Sequence, residues 1–298
     1  MSQTATPALR QWILEQTAAG FGPDAVLEAM VSAGWSRELA ATTLETTLRD
    51  PLGSREAAPP AAASQASALQ VQRLAADDAG PRWPDVALGT SPRMLDAGDR
   101  QVAVLASMAS PRVVVLGGVL SDVECDALIA AAEPRMARSR TVQTETGGEE
   151  VNDSRTSRGM FFSRGEGELI QRIEARIARL LNWPLDHGEG MQVLHYGVGA
   201  QYLPHYDYFD PAEPGTPTIL KRGGQRVGTL VMYLNEPERG GGTTFPDVGL
   251  EVAPQRGNAV FFSYDKPHPS TRTLHGGAPV LAGEKWVATK WLREGVFE

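Results

Sequence analysis

Residues 202–209 read Tyr-Leu-Pro-His-Tyr-Asp-Tyr-Phe, and this stretch places His205 and Asp207 two residues apart. Alternate residues of an extended strand point to the same side, so this spacing directs an imidazole and a carboxylate toward one point. Together they offer two ligands for a metal ion. A His-x-Asp pattern alone is weak support, because a chain with five histidines can contain one by chance, and surface polar residues remain the alternative.

A second segment strengthens the metal interpretation. Residues 273–280 read Thr-Leu-His-Gly-Gly-Ala-Pro-Val and contain His275, and a strand-like segment, 284–291, follows with Lys285 near its start. Two histidines and one carboxylate without a thiolate suit non-haem Fe(II), because three protein ligands leave coordination positions open. His268 is the rival distal ligand, but its Lys-Pro-His-Pro setting is typical of a loop, and the other histidines are assigned to packing or the surface.

The rest of the chain from residue 83 predicts a mostly β fold with flanking helices. A capping box formed by Ser121 and Glu124 begins one helix, and apolar residues at helical spacing predict a second helix over 169–181. Short strands separated by Gly- and Pro-rich turns predict an antiparallel sandwich or barrel. The predicted strands are 112–118, 191–196, 226–234, 250–253, 258–263 and 284–292.

With these motifs the chain resembles the prolyl 4-hydroxylase family of Fe(II)/2-oxoglutarate dioxygenases. The matching segments follow the family's order from residue 111 to residue 293. They are 121–125, 155–157, 192–196, 202–209, 224–234, 240–246 and 274–291. The resemblance implies a double-stranded β-helix, which is a jelly-roll of two sheets, with the metal in its open mouth.

The resemblance also implies three sets of site residues. They are an Fe(II) site of His205, Asp207 and His275, a 2-oxoglutarate site of Lys285, Tyr196 and Thr229, and a peptide groove of Arg155, Ser157, Glu189, Tyr202 and Trp291. A charged hydrogen bond from Lys285 to the far carboxylate of 2-oxoglutarate contributes about 1.5–3 kcal/mol. A solvated strand end is the alternative for Lys285, and core packing is the alternative for Tyr196 and Thr229. Strand alternation places Lys285 and Trp291 on one face and Lys290 on the other.

The activity that the resemblance implies is hydroxylation of proline in a peptide or protein. Its cofactors are Fe(II), 2-oxoglutarate and O2, with ascorbate as a reductant and succinate and CO2 as products. Asp207 favours hydroxylation over halogenation, because related halogenases have a small residue there. Residues 141–152 and 212–224 are predicted to be mobile loops that can close over the peptide groove, and variable surface loops without this role are an equal alternative. A free amino acid or small metabolite as substrate, and a non-catalytic binding or sensing module, remain the alternatives.

The N-terminal part differs in composition from the rest. Residues 1–49 predict a small helical domain whose Gly-Phe and Gly-Trp turns are similar to those of ubiquitin-associated bundles. Self-association or partner docking through these helices is an equal alternative. Residues 50–82 are rich in Ala and Pro and predict a linker, which leaves 83–298 as the dioxygenase domain.

Composition excludes several classes of protein. A net charge of −8 argues against binding to nucleic-acid phosphates. Cys125 is the single cysteine, which excludes an internal disulfide and a Cys-rich zinc module. The longest strongly apolar run, 113–120, is too short for a membrane span, and the start of the chain lacks signal-peptide features. We therefore expect a cytoplasmic protein that does not act at a membrane.

Overall fold

The computed structural model describes residues 13, 17, 22–32, 35–49, 83–88, 92–138, 141–142, 149–150 and 156–298. The chain divides into two units, Met1–Ala79 and Gly80–Glu298. The predicted linker, 50–82, lies outside the described residues. The first predicted helix also lies outside them, apart from Ile13 and Thr17.

The described part of the N-terminal unit consists of two helices, α1 (Pro23–Ser32) and α2 (Arg37–Arg49). Apolar side chains at helical spacing form its core. They are Ile13, Val26, Met30, Ala40 and Leu44. The predicted helical character of this region is confirmed for α1 and α2.

The C-terminal unit is built mainly from short antiparallel strands. Its strands are β1 (Met94–Asp96), β2 (Gln101–Met108), β3 (Arg112–Gly117), β4 (Ala137–Arg138), β5 (Thr141–Val142), β6 (Glu149–Glu150), β7 (Arg158–Phe162), β8 (Met191–Tyr196), β9 (Tyr202–His205), β10 (Arg226–Tyr233), β11 (Arg239–Gly240), β12 (Thr243–Phe245), β13 (Leu250–Val252), β14 (Ala259–Ser263), β15 (His275–Gly277), β16 (Val280–Ala282) and β17 (Lys285–Arg293). Its helices are α3 (Asp122–Ala132), α4 (Gly167–Leu180) and α5 (Thr216–Leu220), with 3-10 turns at Glu133–Arg135, Leu185–His187, Pro246–Val248 and Pro269–Thr271.

Two sheets carry the architecture of this unit. The larger has the strand order β1-β2-β3-β14-β10-β17-β8-β7-β4, and the smaller has the order β13-β12-β15-β9. Side chains from both sheets pack into one cluster, in which Tyr196 and Val287 of the larger sheet join Phe245 and Val252 of the smaller. This two-sheet arrangement is the predicted jelly-roll. The strands β5 and β6 form a separate pair, as do β11 and β16.

Helices α3 and α4 contribute side chains to a second hydrophobic core. This core also includes residues of the larger sheet. The predicted capping box at the start of α3 is present, with Ser121 and Glu124 bonded to each other. From α4, Ile173, Ile177 and Leu180 enter the core that also contains strand residues of the larger sheet. Glu124 accepts a hydrogen bond of 2.7 Å from Arg176 of α4, so the cap also joins the two helices.

Strand β17 is buried along its whole length, because packed side chains cover both of its faces. Lys285, Val287, Thr289 and Trp291 line a cavity between the sheets. Trp286, Ala288 and Leu292 belong to the core that includes α3 and α4. The predicted alternation, which separates Lys285 from Lys290, is therefore confirmed.

The predicted strands agree with the structure to within one or two residues, but two longer strands were not predicted. β2 and β7 carry mixed exposed and buried residues without a clear alternation. The predicted loop at 212–224 contains α5, and hydrogen bonds join it to the end of the chain, from Gly295 N to Gly223 O and from Arg222 Nε to Glu298 O. Most of the other predicted loop, 141–152, lies outside the described residues.

Among the described residues, no helix combines the length and the apolar composition that crossing a bilayer requires.

Candidate metal and co-substrate site

Three ligand groups converge between the two sheets. β9 ends at His205, Asp207 lies in the bend that follows, and His275 begins the neighbouring strand β15, opposite His205. The Nε2 atom of His205 lies 3.5 Å from Oδ1 of Asp207, and the Nε2 atom of His275 lies 3.4 Å from Oδ2. One ligand atom from each residue lies within 4.8 Å of the others. The bend, rather than strand alternation, brings Asp207 to the site.

Backbone carbonyls orient both imidazoles. The Nδ1 atom of His205 lies 2.9 Å from the carbonyl oxygen of Leu203, and the Nδ1 atom of His275 lies 2.9 Å from that of Thr273. A carbonyl oxygen can only accept a hydrogen bond, so each Nδ1 carries the proton and donates it. The lone pair of each Nε2 is then directed toward Asp207 and is available to a metal ion.

The electrostatics of the site favour the metal-binding form of His205 and of Asp207. Burial and the neighbouring His275 lower the pKa of His205, which keeps its imidazole neutral. Burial by itself raises the pKa of Asp207, but His275 and His205 outweigh it and hold that pKa well below its usual value. A neutral imidazole and an ionised carboxylate are the forms that bind a divalent cation.

The donor set fits Fe(II). Two imidazole nitrogens and one carboxylate oxygen, with no thiolate, form the facial triad that non-haem Fe(II) oxygenases use. His205, Asp207 and His275 are the one group of three or more potential ligands found among the described residues. These three residues would therefore hold the iron, as the sequence predicts.

A cavity extends from the triad between the sheets. Its lining includes all three triad residues, the predicted co-substrate residues and two of the predicted peptide-groove residues. The lining residues are Leu194, Tyr196, Tyr202, His205, Asp207, Thr229, Val231, Thr243, His275, Gly276, Gly277, Lys285, Val287, Thr289 and Trp291. The fold thus brings residues from β8, β9, β10, β12, β15 and β17 to one place.

Lys285 is the buried cation of this cavity. Its side chain is 4% exposed, and among the described residues its Nζ has no hydrogen bond or ion pair. The rings of Tyr196 and Tyr233 lie beside it, with their centroids 5.4 and 5.9 Å from Nζ. Burial lowers the pKa of Lys285 to about 8, although the charge of Glu251 opposes that change. A buried ammonium without a counter-ion is suited to bind the carboxylate of a ligand.

The two other predicted co-substrate residues also line the cavity. Tyr196 is buried beside Lys285. The hydroxyl of Thr229 donates a hydrogen bond of 2.7 Å to Oδ2 of Asp207, so it already has a partner in the triad. Thr243 lines the cavity as well and accepts a hydrogen bond of 2.8 Å from the hydroxyl of Tyr233. The sequence reasoning missed Thr243, although it lies in the quoted 240–246 segment.

The predicted peptide-groove residues lie in different places. Tyr202 stacks on the triad residue His205, with 3.7 Å between ring centroids, and Trp291 lines the cavity from β17. Ser157 is buried, and Arg155 lies outside the described residues. Glu189 does not line the cavity.

Glu189 instead belongs to a buried ion-pair cluster behind the cavity. It accepts a hydrogen bond of 2.7 Å from Arg226 and lies 3.0 Å from Nε of Arg293. The guanidinium of Arg226 lies 4.2 Å from a ring centroid of Trp291. Sequence reasoning did not assign Arg226 a role, although the matching segment 224–234 contains it. Glu189 is therefore linked to the cavity only indirectly. It binds Arg226, and Arg226 packs on Trp291, which lines the cavity.

Comparison with known proteins adds to this geometry. A family model described as the 2OG-Fe(II) oxygenase superfamily matches residues 191–293. Probable prolyl 4-hydroxylase 3 of Arabidopsis thaliana is 41% identical over 222 residues, which cover 67% of this chain and 75% of that protein. Prolyl 4-hydroxylase 5 of the same plant is 40% identical over 222 residues and covers 67% of this chain and 74% of its own.

The chain belongs to the prolyl 4-hydroxylase family of 2OG-Fe(II) oxygenases. Membership confirms the resemblance and the jelly-roll fold. Fe(II), 2-oxoglutarate and O2 are its cofactors, and the chain is an enzyme of this dioxygenase class. One solved structure that resembles the chain is a viral collagen prolyl hydroxylase from Paramecium Bursaria Chlorella virus-1, in complex with 2-oxoglutarate. It is 33% identical and has a TM-score of 0.47, and the match covers 61% of this chain and 95% of that one.

Proposed function

We propose that this chain hydroxylates proline residues in a peptide or protein at the 4 position. The observation that carries the proposal is one cavity that holds both the His205–Asp207–His275 triad and the buried, uncompensated Lys285. The names of the plant relatives support proline as the target. Bound Fe(II), with 2-oxoglutarate and O2, supplies the oxidation that converts a C–H bond to C–OH while 2-oxoglutarate is converted to succinate and CO2.

The residues of the chain bind, orient and exclude water. The ammonium of Lys285 pairs with the far carboxylate of 2-oxoglutarate, and the ring of Tyr196 lies beside that ammonium in the same cavity. The backbone carbonyls of Leu203 and Thr273 hold the two imidazoles in the orientation that binds the metal. Apolar lining side chains limit water at the site; these are Leu194, Val231 and Val287.

Aromatic rings beside the triad suit a proline side chain. The pyrrolidine ring is apolar and its nitrogen carries no backbone hydrogen, so it gains more from contact with an aromatic face than from hydrogen bonds. Tyr202 and Trp291 supply such faces at the cavity. The predicted groove residues Arg155 and Ser157 remain part of this proposal, and Glu189 supports the groove through Arg226, which packs on Trp291.

The decisive experiment compares peptide with free amino acid. Protein loaded with Fe(II), 2-oxoglutarate and O2 is incubated with proline-containing peptides or with free proline, and succinate and 4-hydroxyproline are measured. We expect both products with a peptide, and neither in the His205→Ala variant, which lacks one metal ligand. Turnover of free proline alone would favour the small-metabolite alternative, and equal decarboxylation rates in the parent and in His205→Ala would favour the non-catalytic alternative.

Three further expectations belong to the proposal. Ascorbate acts as a reductant, and added ascorbate should raise the number of turnovers. The protein acts in the cytoplasm without a nucleic acid or a membrane, which the single cysteine and the net charge of −8 support. The helices α1 and α2 have a core of their own, which supports their use in self-association or in binding a protein partner.

A further inference from the structure

A short chain of buried hydroxyl groups lies behind the triad. The Oγ1 atom of Thr229 lies 2.7 Å from Oδ2 of Asp207, and the hydroxyl oxygen of Tyr264 lies 3.0 Å from Oγ1 of Thr229. Thr229 is fully buried, and Tyr264 and Asp207 are 3% and 7% exposed. Water therefore has little access to these hydrogen bonds, and their partners are other protein groups.

The chain of hydrogen bonds has one direction. An ionised carboxylate can only accept, so the single hydroxyl proton of Thr229 is donated to Asp207. The oxygen of Thr229 then accepts the proton that the hydroxyl of Tyr264 donates. Because Thr229 has only one proton, it cannot also donate to the carboxylate of 2-oxoglutarate while it is bonded to Asp207.

The larger sheet anchors both hydroxyl-bearing residues, whereas Asp207 lies in a bend. Thr229 lies within β10, opposite Phe262 of the paired strand β14. Tyr264 directly follows β14, its backbone N donates to the carbonyl of Val227 at 3.1 Å, and its ring contacts Tyr208 with a centroid distance of 6.1 Å. Residues anchored by the larger sheet can therefore fix the orientation of the Asp207 carboxylate, because the backbone segment of Asp207 is not itself a strand.

We propose that Thr229 and Tyr264 are positioning residues, which orient the Asp207 carboxylate for the metal ion. The chain Tyr264–Thr229–Asp207 sets the plane of the carboxylate and occupies one lone pair of Oδ2. The inference rests on the proposed function only for the identity of the metal. It assigns Thr229 a different role from the 2-oxoglutarate contact that the resemblance implies.

Metal affinity tests the proposal without turnover. Calorimetric titration with Mn(II), in the absence of 2-oxoglutarate, is carried out on the full chain and on Thr229→Val, Thr229→Ser and Tyr264→Phe. We expect Thr229→Val to bind Mn(II) about 10–100-fold more weakly, which is the usual effect of losing a group that orients a metal ligand. Thr229→Ser keeps the hydroxyl and should restore the affinity, and Tyr264→Phe should lose about two- to tenfold.

The matched control is Tyr208→Phe, which removes a hydroxyl from the ring packed against Tyr264. This variant should bind Mn(II) like the parent. Affinity for 2-oxoglutarate is then measured at saturating Mn(II), where every variant should match the parent. Parent-like Mn(II) affinity in Thr229→Val or Tyr264→Phe would overturn the proposal, as would a loss of 2-oxoglutarate affinity alone in Thr229→Val.

Folding and function are separated in this design. If Thr229→Val does not fold, the Tyr264→Phe and Tyr208→Phe pair decides, because both variants keep the volume of the core. A failure to hydroxylate any proline peptide would contradict the proposed function and leave the Mn(II) comparison unaffected.

Discussion

Strand β17 carries two buried lysines that point in opposite directions. Lys285, 4% exposed, faces the cavity between the sheets, and Lys290, 2% exposed, faces away from it. The Nζ atom of Lys290 lies 2.5 Å from the carboxylate of Glu174 in α4 and also contacts the carbonyl of Glu189. The Nζ atom of Lys285 lies beside two aromatic rings, 5.4 and 5.9 Å from their centroids, and forms no ion pair among the described residues. The two lysines are therefore about equally buried, but among the described residues only Lys290 has its charge compensated by an ion pair.

The difference shows what each lysine does. Burial lowers the pKa of both side chains, because it disfavours the charged form. Glu174 compensates the charge of Lys290 within the protein, so this pair serves to join β17 to α4. Lys285 forms no ion pair among the described residues, and the charge of Glu251 offsets its burial only in part, so the carboxylate of a ligand can supply the remaining compensation. An uncompensated buried charge thus marks the site more clearly than burial does.

The largest expected effect is on the compensated pair. Glu174→Gln leaves the ammonium of Lys290 buried without a counter-ion, and we expect it to lower the free energy of unfolding by about 3–5 kcal/mol. Denaturation by urea, monitored by circular dichroism, measures this change. The double variant Glu174→Leu, Lys290→Met should recover most of the loss. A loss below about 1 kcal/mol would mean that the pair behaves like an exposed one.

A smaller effect, on binding rather than stability, is expected at Lys285. Lys285→Met keeps most of the side-chain volume and removes the charge, so the affinity for 2-oxoglutarate should fall about 10–150-fold, the equivalent of about 1.5–3 kcal/mol. Calorimetry of the Mn(II)-loaded protein measures it. The free energy of unfolding should not fall, because no ion pair is lost. A less stable variant with parent-like 2-oxoglutarate affinity would reverse the roles of the two lysines.

The smallest expected effect is the pH dependence of co-substrate binding. Lys285 binds the carboxylate as an ammonium, and its pKa of about 8 means that it loses its proton as the pH rises above 8. Binding must then take up a proton, so the dissociation constant for 2-oxoglutarate should be level below pH 8 and rise by up to about tenfold per pH unit above it. Lys285→Met should lack this rise. An equal rise in that variant would assign the dependence to another group.

Much of the site follows from local patterns. The spacing of His205 and Asp207, the Leu-His-Gly-Gly setting of His275 and the alternation along β17, together with the family resemblance, predicted the triad and placed Lys285 and Trp291 on one face. The triad residues were predicted correctly, although a bend and not strand alternation brings Asp207 to the site. The alternation along β17 involves residues close together in the sequence, where backbone geometry decides which side chains are neighbours. The capping box at Ser121 could be predicted for the same reason.

Contacts between distant segments could not be predicted in this way. Thr229 donates to Asp207 across 22 residues, and Arg226 meets Glu189 across 37. The bend at Asp207 helps to decide the first contact, and this bend does not follow from residue type. The predicted role of Thr229 came from the resemblance, and the structure shows the partner that its hydroxyl has in the protein.

The sequence by itself determined the chemistry that this protein can present: the metal ligands, the scarce lysines and the faces of each strand. The tertiary structure alone decided which charges are compensated. Glu174 lies 116 residues before Lys290 and meets it because α4 packs on the larger sheet, while no acidic side chain forms an ion pair with Lys285 among the described residues. The physical reason is that electrostatic compensation depends on distance in space, and only the packed fold sets that distance.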